Sequence, residues 1–253
     1  MSNPPIVGLV PARIGSKRIR GKNFKKLSGH SLVYWAVRSA VESGVFEDVV
    51  ISTDHTGYIT QDILDIGGHG FHRPKEYATD TSPDVEWIRH AMTETFCKQY
   101  PSFAILRPTS PFRTAAMIRR AYAEFCDAGR AIDSLRAVER VKQHPGKMWR
   151  VLRQRDTRPY RLMPLLPQPE YPWHSSQMAT LPEVWVQNAS MEIAWIDTIE
   201  RYGNQAGEVV VPFFTEGHEG FDINDEYDWT VAELMVKQGE VGPIPRRLID
   251  IYV

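Results

Sequence analysis

A chain of 253 residues with 42% apolar content can bury a full core and suits one large domain, or one domain carrying an insertion. Its 30 basic and 31 acidic residues nearly cancel, so the chain as a whole carries no footprint of a nucleic-acid coat or a membrane-surface protein. The opening MSNPPIVGLV has no positively charged leader and no later apolar run nears the roughly 18 residues of a spanning helix, so a cytoplasmic protein is expected.

In chain order, Ile6–Val10 reads as a strand, Leu32–Glu42 as a helix, Val49–Ser52 as a strand, Asp84–Tyr100 as a helix, Phe103–Leu106 as a strand and Thr114–Ala128 as a helix. Val85, Ile88, Met92 and Phe96 recur at three- and four-residue spacing in the second helix, as do Ile118, Ala121, Tyr122 and Phe125 in the third. Repeated strand and helix predict an α/β fold with a mostly parallel, doubly wound sheet. Ligands bind such sheets outside the carboxyl ends of the strands, which selects the loops 11–23, 53–56 and 107–113. From about residue 139 the pattern loosens. Five prolines between 159 and 172 forbid a continuous helix or central strand, so 139–182 is expected to be an arm inserted in a single domain spanning 1–253. Regular structure resumes at Val184–Gln187, Met191–Trp195 and Val209–Phe214, and a last helix covers Asp228–Val236.

The loop after the first strand gathers Arg13, Lys17, Arg18, Arg20, Lys22, Lys25 and Lys26, with Gly15, Gly21 and Gly29 among them. It matches neither GxxxxGK[ST] nor GxGxxG. Glycines nonetheless let backbone N–H groups approach an anion, and several cations leaving one strand end suit a polyphosphate. A solvated basic face is the competing reading. Cys97 and Cys126 have no CxxC or histidine spacing and are expected to be buried free thiols, and His55, His144, His174 and His218 lack a triad or metal spacing, which suggests surface or supporting roles.

The stretch PARIGSKRIRGKN, residues 11–23, resembles the P-A-R-x-G-S-K-x-x-x-x-K-N signature of the acylneuraminate cytidylyltransferases, the CMP-sialic acid synthetases and their bacterial nonulosonic-acid relatives. VVISTD (49–54), RPKEYATD (73–80), RPTSPFR (107–113), HPGKMW (144–149), LPEVWVQN (181–188) and FDINDEYD (221–228) follow in the family's order. The resemblance implies a nucleotide-diphospho-sugar transferase-like fold. It also implies a reaction in which CTP and an acidic sugar give a CMP-sugar and pyrophosphate. On that likeness Arg13 and Lys22 are catalytic, Arg13, Ser16, Lys17 and Lys22 hold the triphosphate, and Asn23, Arg73 and Asp80 belong to the base and ribose side. Arg107, Ser110, Lys147, Gln187 and Asn188 face the acceptor, while Asp222 and Asn224 bind Mg²⁺. A homodimer through the arm is implied as well, with no nucleic-acid or membrane partner.

Three positions depart from the family pattern. Arg107 stands where the synthetases usually carry a glutamine, and a guanidinium there suggests bidentate contact with an anionic acceptor group. The arm has no arginine between His174 and Leu181, and Asn224 replaces the second acid of the D-x-D pair, leaving Asp225 or water as further ligands. Asp225 and Asp228 also read as N-terminal caps of the last helix, and Thr109 or Ser110 as a cap of the helix beginning near Thr114. The rival readings are a same-fold transferase for a Kdo-like acid, phosphonate or sugar phosphate, and a non-catalytic nucleotide-binding module.

Overall fold

The computed structural model describes residues 3–93, 97–152 and 160–239. In chain order its elements are β1 (Ile6–Pro11), β2 (Lys26–Leu27), β3 (His30–Ser31), α1 (Leu32–Ser43), β4 (Asp48–Thr53), α2 (Gln61–Asp65), β5 (Gly68–His72), α3 (Asp84–Thr93), β6 (Ser102–Ile105), α4 (Ala115–Ala128), β7 (Ser134–Arg140), β8 (Trp149–Leu152), β9 (Arg161–Pro164), β10 (Trp185–Trp195), α5 (Ile196–Tyr202), β11 (Val210–Phe214) and α6 (Glu226–Gln238). The chain divides into two compact units, one formed by 1–138 with 187–253 and the other by Glu139–Val186.

The main sheet runs β11-β7-β10-β6-β1-β4-β5. β1 pairs in parallel with both β4 and β6, β4 with β5 and β11 with β7, while β10 runs antiparallel to β6. Alternation along the central strands fills both faces. Val7 and Leu9 join Val50, Phe103 and Ile105 under Trp87, Ile88 and Met92 of α3 and Ile199 of α5. Ile6 and Val10 turn the other way, against Val33, Val37 and Ala40 of α1 and Met117, Ile118 and Phe125 of α4. That is the doubly wound α/β sheet expected, and the parallel strands β1, β4 and β6 therefore end at one edge. A third apolar cluster seats Trp229, Ala232 and Met235 of α6 against Ile19, Leu27, Trp35 and Phe112, so the last helix braces the loop after β1.

Two of the expected elements are built differently from expectation. The helix begun at Asp84 is regular to Thr93, and a 3₁₀ turn covers Cys97–Gln99 before Pro101; the predicted contribution of Phe96 lies outside the described residues. β10 is continuous where two segments were expected, and within it Ser190 N and Oγ donate to Asn188 Oδ1 at 3.1 and 2.5 Å. Cys97 is buried and Cys126 only half-buried.

In the second unit, β8 and β9 form an antiparallel hairpin with Trp149 opposite Pro164 and Leu152 opposite Arg161. His144 is buried there rather than at the surface. Its Nδ1 accepts from Gly146 N at 2.9 Å, so Nε2 carries the proton and donates to Pro182 O at 3.1 Å. A Cβ on Gly146 would come within 2.8 Å of the Trp173 ring, and only glycine fits. No helix among the described residues is long and apolar enough to cross a membrane.

Candidate active site

The loop after β1 is pinned along its length. Ala12 N donates to Ser52 O at 2.9 Å, Ile14 N to Asp54 Oδ1 at 3.0 Å, and Asn23 Nδ2 back to Arg13 O at 3.0 Å. Gly21, at φ +62°, supplies the left-handed step that starts the 3₁₀ turn Lys22–Phe24. The turn carries Lys22 inward until its Nζ donates to Ile223 O at 2.5 Å. The loop is thus pinned with Lys22 buried at its root, while Lys17, Arg18, Arg20 and Lys26 remain exposed to solvent.

A cleft of about 440 Å³ opens above it, and its lining includes Arg13, Ser16, Lys17, Lys22, Asn23 and Arg73 together with Asp80, Asp84 and Arg107. The charge states follow from burial. Lys22 is 9% exposed, and desolvation lowers its pKa despite the opposing pull of Asp222. Arg73 is 3% exposed and is drawn down to about 10 by desolvation, against the attraction of Asp84 and Asp54. It donates through Nε and Nη2 to Ser52 Oγ and O, both at 3.0 Å, and lies 4.6 Å over the Trp87 ring. Asp80 bridges two cations of the loop after β1: Arg13 Nη1 meets Oδ1 at 2.8 Å and Lys17 Nζ meets Oδ2 at 2.5 Å. Those hydrogen bonds, from Lys17 first and Arg13 next, hold its carboxyl below the usual range. Asp80, expected on the base and ribose side, thus faces the cations assigned to the triphosphate.

The acceptor set comes together only in part. Arg107 reaches the cleft, but as an internal ion-pair partner and not as an open fork: Nη2 donates to Asp84 Oδ2 at 2.5 Å and to Glu192 Oε1 at 3.0 Å. Burial opposes its charge, and the two carboxylates outweigh burial and raise its pKa. Ser110 lies 1% exposed and off the cleft wall. Asn188 spends its amide internally, Nδ2 donating to Thr215 Oγ1 at 3.1 Å. Gln187 is exposed, and Lys147 is exposed within the second unit. Arg113, buried at 1%, donates from Nη1 to Ser190 O at 2.7 Å and Arg107 O at 3.3 Å, and burial without a carboxylate partner draws it down to about 9. The cap of α4 is Thr114, whose side chain accepts from Met117 N at 3.0 Å, and not Thr109 or Ser110.

The acidic turn divides its labour. Asp225 caps α6, its Oδ1 accepting from Tyr227 N and Asp228 N, and Asp228 Oδ2 accepts in return from Asp225 N and Asn224 N. Asn224 turns its amide donor to Asp222 Oδ2 at 2.9 Å, so the expected pair does not present two ligand oxygens side by side. Asp222 Oδ1 is buried with no hydrogen-bond partner among the described residues. An orphaned carboxylate oxygen, close enough to act on Lys22, suits a hard divalent cation whose other ligands are phosphate and water oxygens. No cluster of three metal-type side chains occurs among the described residues.

Sequence reading missed Asp84, Glu192 and Arg136. The signal for two of them was a lone charge inside an apolar strand, Arg136 in SLRAV and Glu192 in SMEIAW, since a buried charge requires a partner.

A cytidylyltransferase family model matches residues 7–146. An N-acylneuraminate cytidylyltransferase of Escherichia coli O18:K1:H7 is 40% identical over 114 residues, 45% of this chain and 26% of that protein. A CMP-N,N'-diacetyllegionaminic acid synthase of Legionella pneumophila is 31% identical over 137 residues, 51% of this chain and 57% of the other. These matches span about a quarter and rather over half of the relatives' lengths. Among solved structures, a CMP:2-keto-3-deoxy-manno-octonic acid synthetase complexed with CTP superposes with TM-score 0.66 at 14% identity, covering 92% of this chain and 99% of the other, a likeness of fold.

Proposed function

Because the chain belongs to the cytidylyltransferase family, we propose that it transfers CMP from CTP to an acidic sugar of the sialic-acid-like, nonulosonic class and releases pyrophosphate. The observation that carries this reading is the pinned loop with Lys22 buried at its root, lying within the family-matched segment.

The acceptor's hydroxyl oxygen forms the new bond to the α-phosphorus and gives up its proton to solvent, while the bond from the α-phosphorus to the α,β-bridging oxygen breaks and pyrophosphate leaves with that oxygen. Such a reaction asks for in-line positioning and for cations where charge spreads over the oxygens. Arg13, Lys17 and Lys22, with the Ser16 hydroxyl, meet the phosphates, and Arg13 and Lys17 exchange Asp80 for phosphate oxygens as the nucleotide enters. Asn23 and Arg73 take the base and ribose side. Lys22, held rigidly by Ile223 O, contributes a charge that needs no reorganisation during the reaction. Asp222 would hold Mg²⁺, with Asn224 orienting its carboxylate. When bound, the ion offsets triphosphate charge.

The second unit supports assembly. Its hairpin exposes Trp149, Val151, Leu152, Leu162 and Met163, which favours a homodimer formed through the arm. The deciding experiment mixes the protein, Mg²⁺ and each of four nucleoside triphosphates with N-acetylneuraminic acid, legionaminic acid, pseudaminic acid, Kdo and small phosphonates. Pyrophosphate should appear with CTP and a nonulosonic acid. Release only with a phosphonate or another nucleotide would overturn the substrate assignment.

A further inference from the structure

A chain of four charges crosses the sheet beside the cleft. Arg136 of β7 pairs with Glu192 Oε2 on β10, Glu192 Oε1 accepts from Arg107 at 3.0 Å, and Arg107 also holds Asp84 at the start of α3. Arg136 is 8% exposed and Glu192 3%, so their pair is buried in the sheet, whereas Arg107 and Asp84 line the cleft. Two cations and two anions close the set.

Arg136 alone is enough to compensate the charge of Glu192. The second contact, from Glu192 to Arg107, is therefore not needed to make the sheet neutral; its consequence is to fix a flexible guanidinium at the cleft wall. Sheet order says which end of the site this touches. β6, which delivers Arg107, and β10 lie on the side of β1 away from β4 and β5, the strands that deliver Asp54 and Arg73. With the triphosphate over β1 and the base toward Arg73, the β6 and β10 side is left for the acceptor.

We propose that Glu192 is a positioning residue for the acceptor end of the cleft, holding Arg107 between itself and Asp84 so that the acceptor meets a prearranged guanidinium. This rests on the transferase reading above. The anchor also explains how an arginine is accommodated at this wall: its charge is kept by two carboxylates and its freedom removed before substrate arrives.

The test uses the double variant Glu192→Gln/Arg136→Met. Glu192→Gln alone strands Arg136 as a buried unpaired cation and can fail to fold, whereas removing both members preserves net charge and much of the packing volume. The acid that wild type converts fastest in the panel serves as probe, with KM for that acid and for CTP read by pyrophosphate release and folding by thermal melting. Positioning predicts an acceptor KM raised about tenfold or more, with KM for CTP within about twofold of wild type. An unchanged acceptor KM in a folded double variant overturns the proposal, and so does an equal rise in both KM values, because either result makes the pair structural. Failure of wild type to release pyrophosphate with any acid overturns the transferase reading instead, and the inference with it.

Discussion

Lys22 is costly to keep where it is. Burial lowers its pKa, so the native state prefers it less charged than the unfolded chain does. Between the lowered value and the ordinary lysine value of about 10.4 the unfolded chain binds more protons, and stability rises with pH across that window. Activity should move the opposite way, since only the protonated amine stabilises phosphate charge. kcat/KM for CTP is expected to fall on an alkaline limb below the ordinary lysine value, and Lys22→Arg should remove that limb from the pH profile. Lys22→Ala should lower turnover roughly a hundredfold or more, with Arg20→Ala and Lys26→Ala far milder. Equal losses at all three would mean a diffuse basic patch. At Asp222 the expectation concerns metal: Asp222→Ala should leave under about a tenth of the rate, a barrier change above roughly 1.4 kcal/mol. Asn224→Asp replaces a donor to Asp222 by a second carboxylate, and the Mg²⁺ concentration for half-maximal rate should fall. The basic loop after β1 stood out in the sequence because its charges and glycines lie within one continuous stretch. The partners of Arg107 were not, because Asp84 and Glu192 are distant in sequence and only the sheet brings them together.

At the scale of elements, α6 shows how a polar cluster can look like a metal site and act as a cap. Asp225 and Asp228 form a reciprocal capping box at the helix start, which the sequence reading held as one of two roles. Asp225→Ala should cost about 1 kcal/mol, read as a lower denaturation midpoint, and leave the Mg²⁺ dependence of the rate unchanged. A shift in Mg²⁺ dependence would instead return Asp225 to the metal. The central strands and α1 and α4 were legible from periodicity because each buries one face against the sheet. β5 was not, since Gly68, His69 and Gly70 carry neither apolar alternation nor β-branched side chains. It takes strand form by pairing with β4. β7 escaped for the related reason that Arg136 interrupts its apolar run.

At the scale of the whole molecule, the described part of the unit Glu139–Val186 is built around a two-stranded hairpin. A two-stranded hairpin is marginal in water unless another surface covers it. Here Leu152 and Met163 are exposed on one face, and on the other Val151 is 53% and Leu162 60% exposed, paired with each other and flanked by Trp149. A contiguous apolar patch of that kind marks an interface. We therefore expect sedimentation or light scattering to give the mass of two chains at micromolar concentration. Leu162→Glu, placed on the most exposed apolar position of the hairpin, puts a charge where the partner would bury it, and the variant should sediment as one chain with the main-sheet unit still folded. If catalysis also needs a partner arm, the Leu162→Glu protein should bind CTP normally while its acceptor KM rises and responds to protein concentration. A wild-type protein of single-chain mass, or a Leu162→Glu variant of unchanged mass, would rule out the hairpin as the dimer contact.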